Sequence, residues 1–260
     1  MKSRPGTALP VIPLADTTRD RILGGRVTIL QPAEGFRAAI DPMLLAAAVP
    51  ARSGEVILDV GSGSGAASLA LAARRGGVSV TGLESQGPLV TLAQESAREN
   101  GFDVCVRFLQ GDLLCPPSEL TSGDFDHVMA NPPYMAAGQG NPPPDASKRA
   151  ATVEGDAALT DWLGFLMSRV RDGGTITIIH RFDRVDEVAA GFKDFGARDL
   201  VIFPLWQKQE NGEAKRVIVH ARKGGLGELR MAGGLVLHDG AGAYTQAAEA
   251  VLRGGEALLL

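Results

Sequence analysis

The sequence predicts a doubly wound α/β fold, a mostly parallel sheet covered by helices on both faces. Three observations predict it. Short apolar, β-rich runs alternate with helical stretches from Val56 to Ala221, the pattern left by right-handed βαβ units whose strands are buried on both sides. The first strong run passes into a glycine cluster, Gly61-Ser62-Gly63-Ser64-Gly65, and then into a helix, as strand-to-helix turns of such folds do. Glycine is plentiful, 33 of 260 residues, and aromatics make up only 5%, which suits many tight turns better than an aromatic-rich β-sandwich.

Taken in order, residues 1 to about 24 are polar, punctuated by Pro and Gly, and read as an irregular arm. Val27 to Leu30, bounded by Gly24-Gly25 and Gln31-Pro32, reads as a short strand. Asp41-Pro42 reads as the N-cap and first position of a helix that carries Met43 to Ala48 and ends at Pro50. The regular alternation follows: strand Val56 to Val60, helix Ala66 to Arg74, strand Val78 to Leu83, helix Leu89 to Glu99, strand Val104 to Leu109, strand Phe125 to Ala130. A helix from Ala158 to Val170, a strand from Thr175 to Ile179, a helix from Val185 to Phe195 and strands at Leu200 to Phe203 and Arg216 to Ala221 complete it. Met135 to Gly155, with Gly138, Gly140 and Pro142-Pro143-Pro144, has no periodicity and reads as a long loop, either a lid or a plain surface insertion. Beyond Lys223, Leu235-Val236-Leu237 and a helix from Thr245 to about Leu252 read as an appendage of the same domain. The expected organisation is an arm and helix over 1–50, a core over 51–223 and the appendage over 224–260, with 45% hydrophobic residues to fill one core.

The formal charge of −4 and pI of about 5.6 give no bulk attraction to a polyanion. Contact with nucleic acid would use a local basic patch, at Lys148-Arg149, Arg181 with Arg184, or Lys215-Arg216 with Arg222-Lys223, although most such clusters are solvated surface. Cys105 and Cys115 have neither the number nor the spacing for zinc or a disulfide framework. His127, His180, His220 and His238 show no i, i+4 pairing, so no metal site is expected. Ser62 and Ser64 lack the G-x-S-x-G pattern of a hydrolase nucleophile. Lys2 and Arg4 before Ala8 to Leu14 faintly resemble a signal peptide, but prolines interrupt the apolar stretch. No run approaches the roughly 18 apolar residues of a membrane helix, so a cytoplasmic address without membrane contact is expected.

The glycine cluster marks a ligand site, because glycines let a ligand approach the backbone at a helix N-terminus. Gly61-x-Gly63-x-x-Ala66 fits a dinucleotide fingerprint, and Glu84, followed by Ser85, ends the next strand where a carboxylate can bind ribose hydroxyls of NAD or of S-adenosylmethionine. Two acidic residues tilt the choice to the sulfonium cofactor. Asp59, directly before the glycines, would repel a pyrophosphate but suits the ammonium of a methionine moiety. Asp112, in Gln110-Gly111-Asp112-Leu113, is placed to accept from an adenine amino group, with Leu113 as the apolar ring contact; the plainer alternative for Asp112 is a turn residue. Asp41, read chiefly as a helix cap, has a second reading as a border of the methionine end.

Phe125-Asp126-His127-Val128-Met129-Ala130-Asn131-Pro132-Pro133-Tyr134 is the most specific signal. Two prolines remove two backbone donors and fix φ near −65°, so the Pro132 carbonyl between them is kept out of the ladder as an acceptor. The Asn131 side-chain oxygen is a second acceptor. Two acceptors aimed at one NH2 group draw its hydrogens out of the conjugated plane and localise the lone pair toward an incoming methyl group. Tyr134 would stack on a planar substrate. The bland alternative is a Pro-rich turn with Tyr134 filling the core. The candidate acceptor residues are thus Asn131, Pro132 and Tyr134; the candidate cofactor residues are Asp41, Asp59, Gly61, Ser62, Gly63, Gly65, Glu84, Ser85, Asp112, Leu113 and Asn131.

These residues resemble the class I S-adenosylmethionine-dependent methyltransferases, and within them the amino-methylating group with Asn-Pro-Pro-Tyr after the fourth strand. The chain is similar, more narrowly, to the bacterial valine-tRNA adenine-N6 methyltransferases, through Gly35 to Leu45, the glycine loop, Asn131 to Tyr134, Lys215 to Val219 and Leu235 to Tyr244. The resemblance implies a Rossmann-like, seven-stranded sheet with the last strand antiparallel, S-adenosylmethionine as cofactor, and a tRNA adenine next to the anticodon as acceptor. A rival in the same chemistry is a protein glutamine methyltransferase of the release-factor type, whose relatives carry a sizeable N-terminal helical domain; the roughly 50 residues before the first core strand favour nucleic acid. A nicotinamide-dependent oxidoreductase, or an inactive cofactor-binding scaffold, would leave the tetrapeptide unexplained.

Overall fold

The alternation becomes one large sheet in the computed structural model, which describes residues 16–35, 37–120, 125–135, 154–210 and 212–260. In chain order the strands are β1 (Thr17–Ile22), β2 (Val27–Pro32), β3 (Val56–Val60), β4 (Ser79–Glu84), β5 (Val106–Gln110), β6 (Phe125–Ala130), β7 (Val170–Arg181), β8 (Ala197–Trp206), β9 (Ala214–Lys223), β10 (Arg230–Met231) and β11 (Leu235–Val236). The helices are α1 (Asp41–Ala48), α2 (Ala66–Arg74), α3 (Gly87–Glu99), α4 (Leu159–Arg169), α5 (Val185–Asp194) and α6 (Gln246–Leu252). The large sheet has the order β10-β8-β9-β7-β6-β3-β4-β5. All its neighbours pair in parallel except β9, which runs antiparallel to both β7 and β8.

Alternate residues of each strand feed different cores, which is what a two-sided sheet requires. On β3, Ile57 packs with Leu44, Leu69 and Ala93 from α1, α2 and α3, whereas Leu58 and Val60 pack with Leu163, Leu166 and Val188 from α4 and α5. On β9, Ile218 joins the first core and Val217 and Val219 the second. α3 shows how sequence makes such an element: Leu89, Val90, Leu92, Ala93, Ser96 and Ala97, spaced at helical intervals, are its buried residues.

Three expectations need correction. The sheet has nine strands, not seven, because the segment after Lys223 lays β10 and β11 in parallel along β8; they occupy an edge that β8 would otherwise leave unpaired. The stretch to residue 24 is not irregular throughout. β1 pairs with β2 antiparallel around Leu23–Gly25, where Gly24 (φ +66°) and Gly25 (φ +91°) supply the left-handed turn. Thr-Arg-Asp-Arg hid this strand because its signal is the partner's hydrogen bonds, not its apolarity. The outer edge of β2 is satisfied by α3: Ser96 Oγ accepts from the Leu30 amide (2.8 Å) and Asn100 Oδ1 from that of Thr28 (2.9 Å). Finally, Asp41 is not a cap. It is the first residue of α1, the preceding Ile40 makes no side-chain cap, and the Asp41 carboxylate points elsewhere.

Candidate active site

The direction in which crossovers leave the sheet reverses between β3 and β6, the place where open α/β sheets bind ligands beyond their strand ends. A cavity of about 380 Å³ lies there, within the range of a small-molecule site. β3 delivers Asp59 and the glycine loop, β4 delivers Glu84 and Ser85, the loop after β5 delivers Asp112 and Leu113, and β6 delivers Asn131. Of the candidate cofactor residues, Asp59, Gly61, Ser62, Gly63, Glu84, Ser85, Asp112, Leu113 and Asn131 line the cavity. Gly65 and Asp41 do not.

The glycine loop is pinned from β4. The amides of Gly61 and Ser62 donate to the Leu83 carbonyl (2.8 and 3.0 Å), and that of Gly63 donates to Glu84 Oε2 (2.9 Å). Glu84 Oε1 accepts from the Gln86 amide (2.8 Å), so one buried carboxylate organises both sides of the cavity floor. Burial pushes the Glu84 carboxyl up, against these amide bonds. Gly61 sits at φ +71°, and a Cβ there would lie 2.7 Å from the Trp162 ring of α4. Asp112 is both a cavity wall and a turn residue: its Oδ1 accepts from the Leu114 amide (2.9 Å).

Asp59 is 2% exposed, and its Oδ2 accepts from Ser68 Oγ at 2.7 Å. Burial pushes its carboxyl up from 3.8 to about 7. Among the described residues neither Asp59 nor Glu84 has a basic partner, and Ser62 Oγ, buried, has no hydrogen-bond partner. Buried polar groups left so are built to meet a ligand that brings donors and positive charge. The Asp59 shift has a stability consequence. A carboxyl with a raised folded pKa contributes stability that is fully present below about 4 and is lost as pH rises through about 7. Thermal unfolding of the ligand-free Asp59→Asn variant is therefore expected to fall less steeply over that window, by an amount on the order of a few kcal/mol. An equally steep curve would contradict the burial of a protonatable group.

Neither Pro132 nor Tyr134 lines this cavity; Tyr134 lines a second one, with Arg181 and Arg216, and folds back on Asn131. Its hydroxyl donates to Asp41 Oδ2 (2.6 Å) and is also within hydrogen-bond reach of Asn131 Oδ1. Arg216 Nε donates to the same Asp41 oxygen (3.0 Å), and the Arg216 guanidinium lies 4.1 Å from the centre of the Tyr134 ring. The His180 ring meets Tyr134 edge-on at 5.6 Å and is fully buried; burial, with Arg184 nearby, brings its pKa down to about 4. Tyr134 is held as a phenol, its pKa raised well above the usual value by burial and by the Asp41 carboxylate.

Trp162 and Asp156, which line the cavity, His180 beside Tyr134, and the contacts of Asp41 and Arg216 with Tyr134 were missed in the sequence; Asp41 and Arg216 lie in stretches that carry the resemblance, Gly35 to Leu45 and Lys215 to Val219. The basic candidates are largely engaged: Arg181 with Asp183, Arg184 with Glu154 and Glu187, Arg222 with Asp199 at 3.6 Å. Lys148-Arg149 and most of the 135–155 loop lie outside the described residues, although Met135 and Glu154 at its ends are joined, the Glu154 amide donating to the Met135 carbonyl at 2.8 Å. Among the described residues no cluster of His, Cys, Asp and Glu could hold a metal ion, and no helix is long and apolar enough to cross a membrane.

Residues 38–143, which hold the glycine loop, Glu84, Asp112 and the tetrapeptide, match the family model of the methyltransferase small domain. The chain matches that model over this segment, which is less than half of its length. It is similar to the tRNA1(Val) (adenine(37)-N6)-methyltransferases of Shewanella putrefaciens (31% identity, 50% of this chain and 52% of that one) and Dickeya chrysanthemi (26%, 84% and 87%). It spans about half the length of the former. A release factor glutamine methyltransferase of Nitratidesulfovibrio vulgaris is 30% identical over 56% of this chain and 51% of its own. A solved structure described as a predicted O-methyltransferase, from Agrobacterium tumefaciens, superposes with a TM-score of 0.69 at 26% identity over 84% of this chain and 98% of that one.

Proposed function

We propose that the protein is an S-adenosylmethionine-dependent N-methyltransferase that acts on the exocyclic amino group of adenine in tRNA. The observation that carries this reading is the placement of Asn131, the first residue of Asn-Pro-Pro-Tyr, in the wall of the same cavity as the glycine loop and Glu84. A nicotinamide-dependent oxidoreductase would leave the tetrapeptide unexplained, and a pyrophosphate would meet the Asp59 carboxyl.

The residues present fit the cofactor. Glu84, with Ser85, would accept from the ribose hydroxyls; Asp112 would accept from the adenine amino group beside Leu113; Asp59 and the unpartnered Ser62 Oγ would meet the methionine end; and the Gly61 to Gly65 backbone would leave room for it. When bound, S-adenosylmethionine supplies an electrophilic methyl group on its sulfonium. Asn131 Oδ1 and the Pro132 carbonyl hold the acceptor NH2 and turn its lone pair toward that methyl group. Tyr134 offers the ring on which a planar base rests. No strong base is needed, because the nitrogen loses its proton after transfer.

What supports the adenine of tRNA over a protein glutamine is the Dickeya relative, which matches 84% of this chain; the Shewanella putrefaciens and the glutamine-modifying relatives match 50% and 56%. The test is labelled methyl transfer into bulk tRNA and into protein extract, each from cells lacking the gene, followed by nucleoside and peptide mass spectrometry. N6-methyladenosine in tRNA is expected; label in a glutamine alone would transfer the assignment to the rival. Glu84→Ala is expected to weaken S-adenosylhomocysteine binding by about 1–3 kcal/mol by calorimetry, the loss of charge-assisted hydrogen bonds. An unaltered dissociation constant would remove Glu84 from the ribose site.

A further inference from the structure

We propose that Asp41 and Arg216 are positioning residues that draw the Tyr134 hydroxyl proton away from the adjacent Asn131 carbonyl oxygen, leaving that oxygen able to accept from the acceptor NH2. The inference rests on the function proposed above and names two residues that neither the glycine loop nor the tetrapeptide contains.

The Tyr134 hydroxyl has one proton and two acceptors within reach, Asp41 Oδ2 and Asn131 Oδ1. It is itself a competitor for the atom the substrate must use. A carboxylate accepts more strongly than an amide oxygen, so Asp41 takes the proton and Asn131 keeps its lone pairs for the cavity it lines. Arg216 then does two things. Its Nε–H fixes the same Asp41 oxygen, in a pair whose side chains are 17% and 31% exposed. Its guanidinium covers one face of the Tyr134 ring and so fixes the ring's position. The pair joins the N-terminus of α1 to β9, 175 residues apart. It is not needed to seat α1, whose Leu44, Leu45 and Ala46 are fully buried in the first core. Nor does Asp41 cap that helix or line the cofactor cavity.

The test is a double-mutant cycle of Asp41→Ala and Tyr134→Phe on the acceptor that the wild type labels, tRNA or protein. Asp41→Ala alone is expected to lower kcat/KM for the acceptor by about tenfold or more, the worth of one displaced hydrogen bond, with the dissociation constant of S-adenosylhomocysteine within about twofold of wild type. Tyr134→Phe removes the competing hydroxyl. Adding it to Asp41→Ala is therefore expected to restore activity to the level of Tyr134→Phe alone. Losses that multiply in the double variant, or wild-type kinetics in Asp41→Ala, would overturn the proposal. Arg216→Lys, which keeps the charge but loses the planar fork, is expected to raise KM for the acceptor more than it lowers kcat. A wild type that labels no acceptor would sink the methyltransferase reading separately. The clamp is then read from the ring resonances of labelled tyrosine, of which the chain has only Tyr134 and Tyr244: a Tyr134 signal unmoved by Asp41→Ala refutes it.

Discussion

Replacing Asn131 by alanine is expected to lower methyl transfer by at least about a hundredfold, while S-adenosylhomocysteine still binds within a few-fold of wild type. The magnitude is that of removing one preorganised acceptor from the reacting group. The selectivity follows from position. Asn131 stands at the end of β6, with its Oδ1 beside the Tyr134 hydroxyl, whereas the opposite side of the cavity is held by Glu84 and the glycine loop. Thermal unfolding should move little, because Asn131 is only partly buried. Single-turnover transfer and calorimetry on the same preparation check both halves; retained turnover would show that the tetrapeptide does not hold the acceptor.

Gly65→Val is the second large effect, and it acts through the fold. Gly65 precedes α2 at φ +84°, a left-handed conformation that a β-branched residue adopts only under strain. A Cβ at this position would lie 2.6 Å from Phe108 Cζ and 3.1 Å from Ala93 Cβ, atoms of β5 and α3 that are themselves closely packed. Strain and overpacking together are expected to destabilise the protein by about 2–4 kcal/mol, seen as a lowered midpoint in denaturant with cofactor affinity lost in parallel. Gly65→Ala, with the same φ but less bulk, should cost less. A Gly65→Val variant as stable as wild type would mean that the loop can withdraw from Phe108.

Much of the fold was legible because its signals are contiguous. The bounds of β3, α2 and β6 agree with the sequence reading to the residue, and those of the remaining core elements differ mainly at their ends, where Val104, 90% exposed, lies before β5. β1 was not legible, since Thr-Arg-Asp-Arg has no apolar period and becomes a strand only when β2 is beside it. β10 and β11 are two residues each and owe their existence to the free side of β8.

The site divides in the same way. The sequence by itself determined the glycine loop, the carboxylates at strand ends and the Asn-Pro-Pro-Tyr turn, because backbone constraints of glycine and proline and the period of a strand act within a few residues. Only the tertiary structure decided that Asp41 faces Tyr134 across 93 positions, that Arg216 covers the Tyr134 ring, and that Trp162 closes over Gly61. Those contacts depend on how α1, α4 and β9 pack around the end of β6. No local pattern records that geometry, because side chains far apart in the chain interact through distances and angles that exist only once the cores have formed.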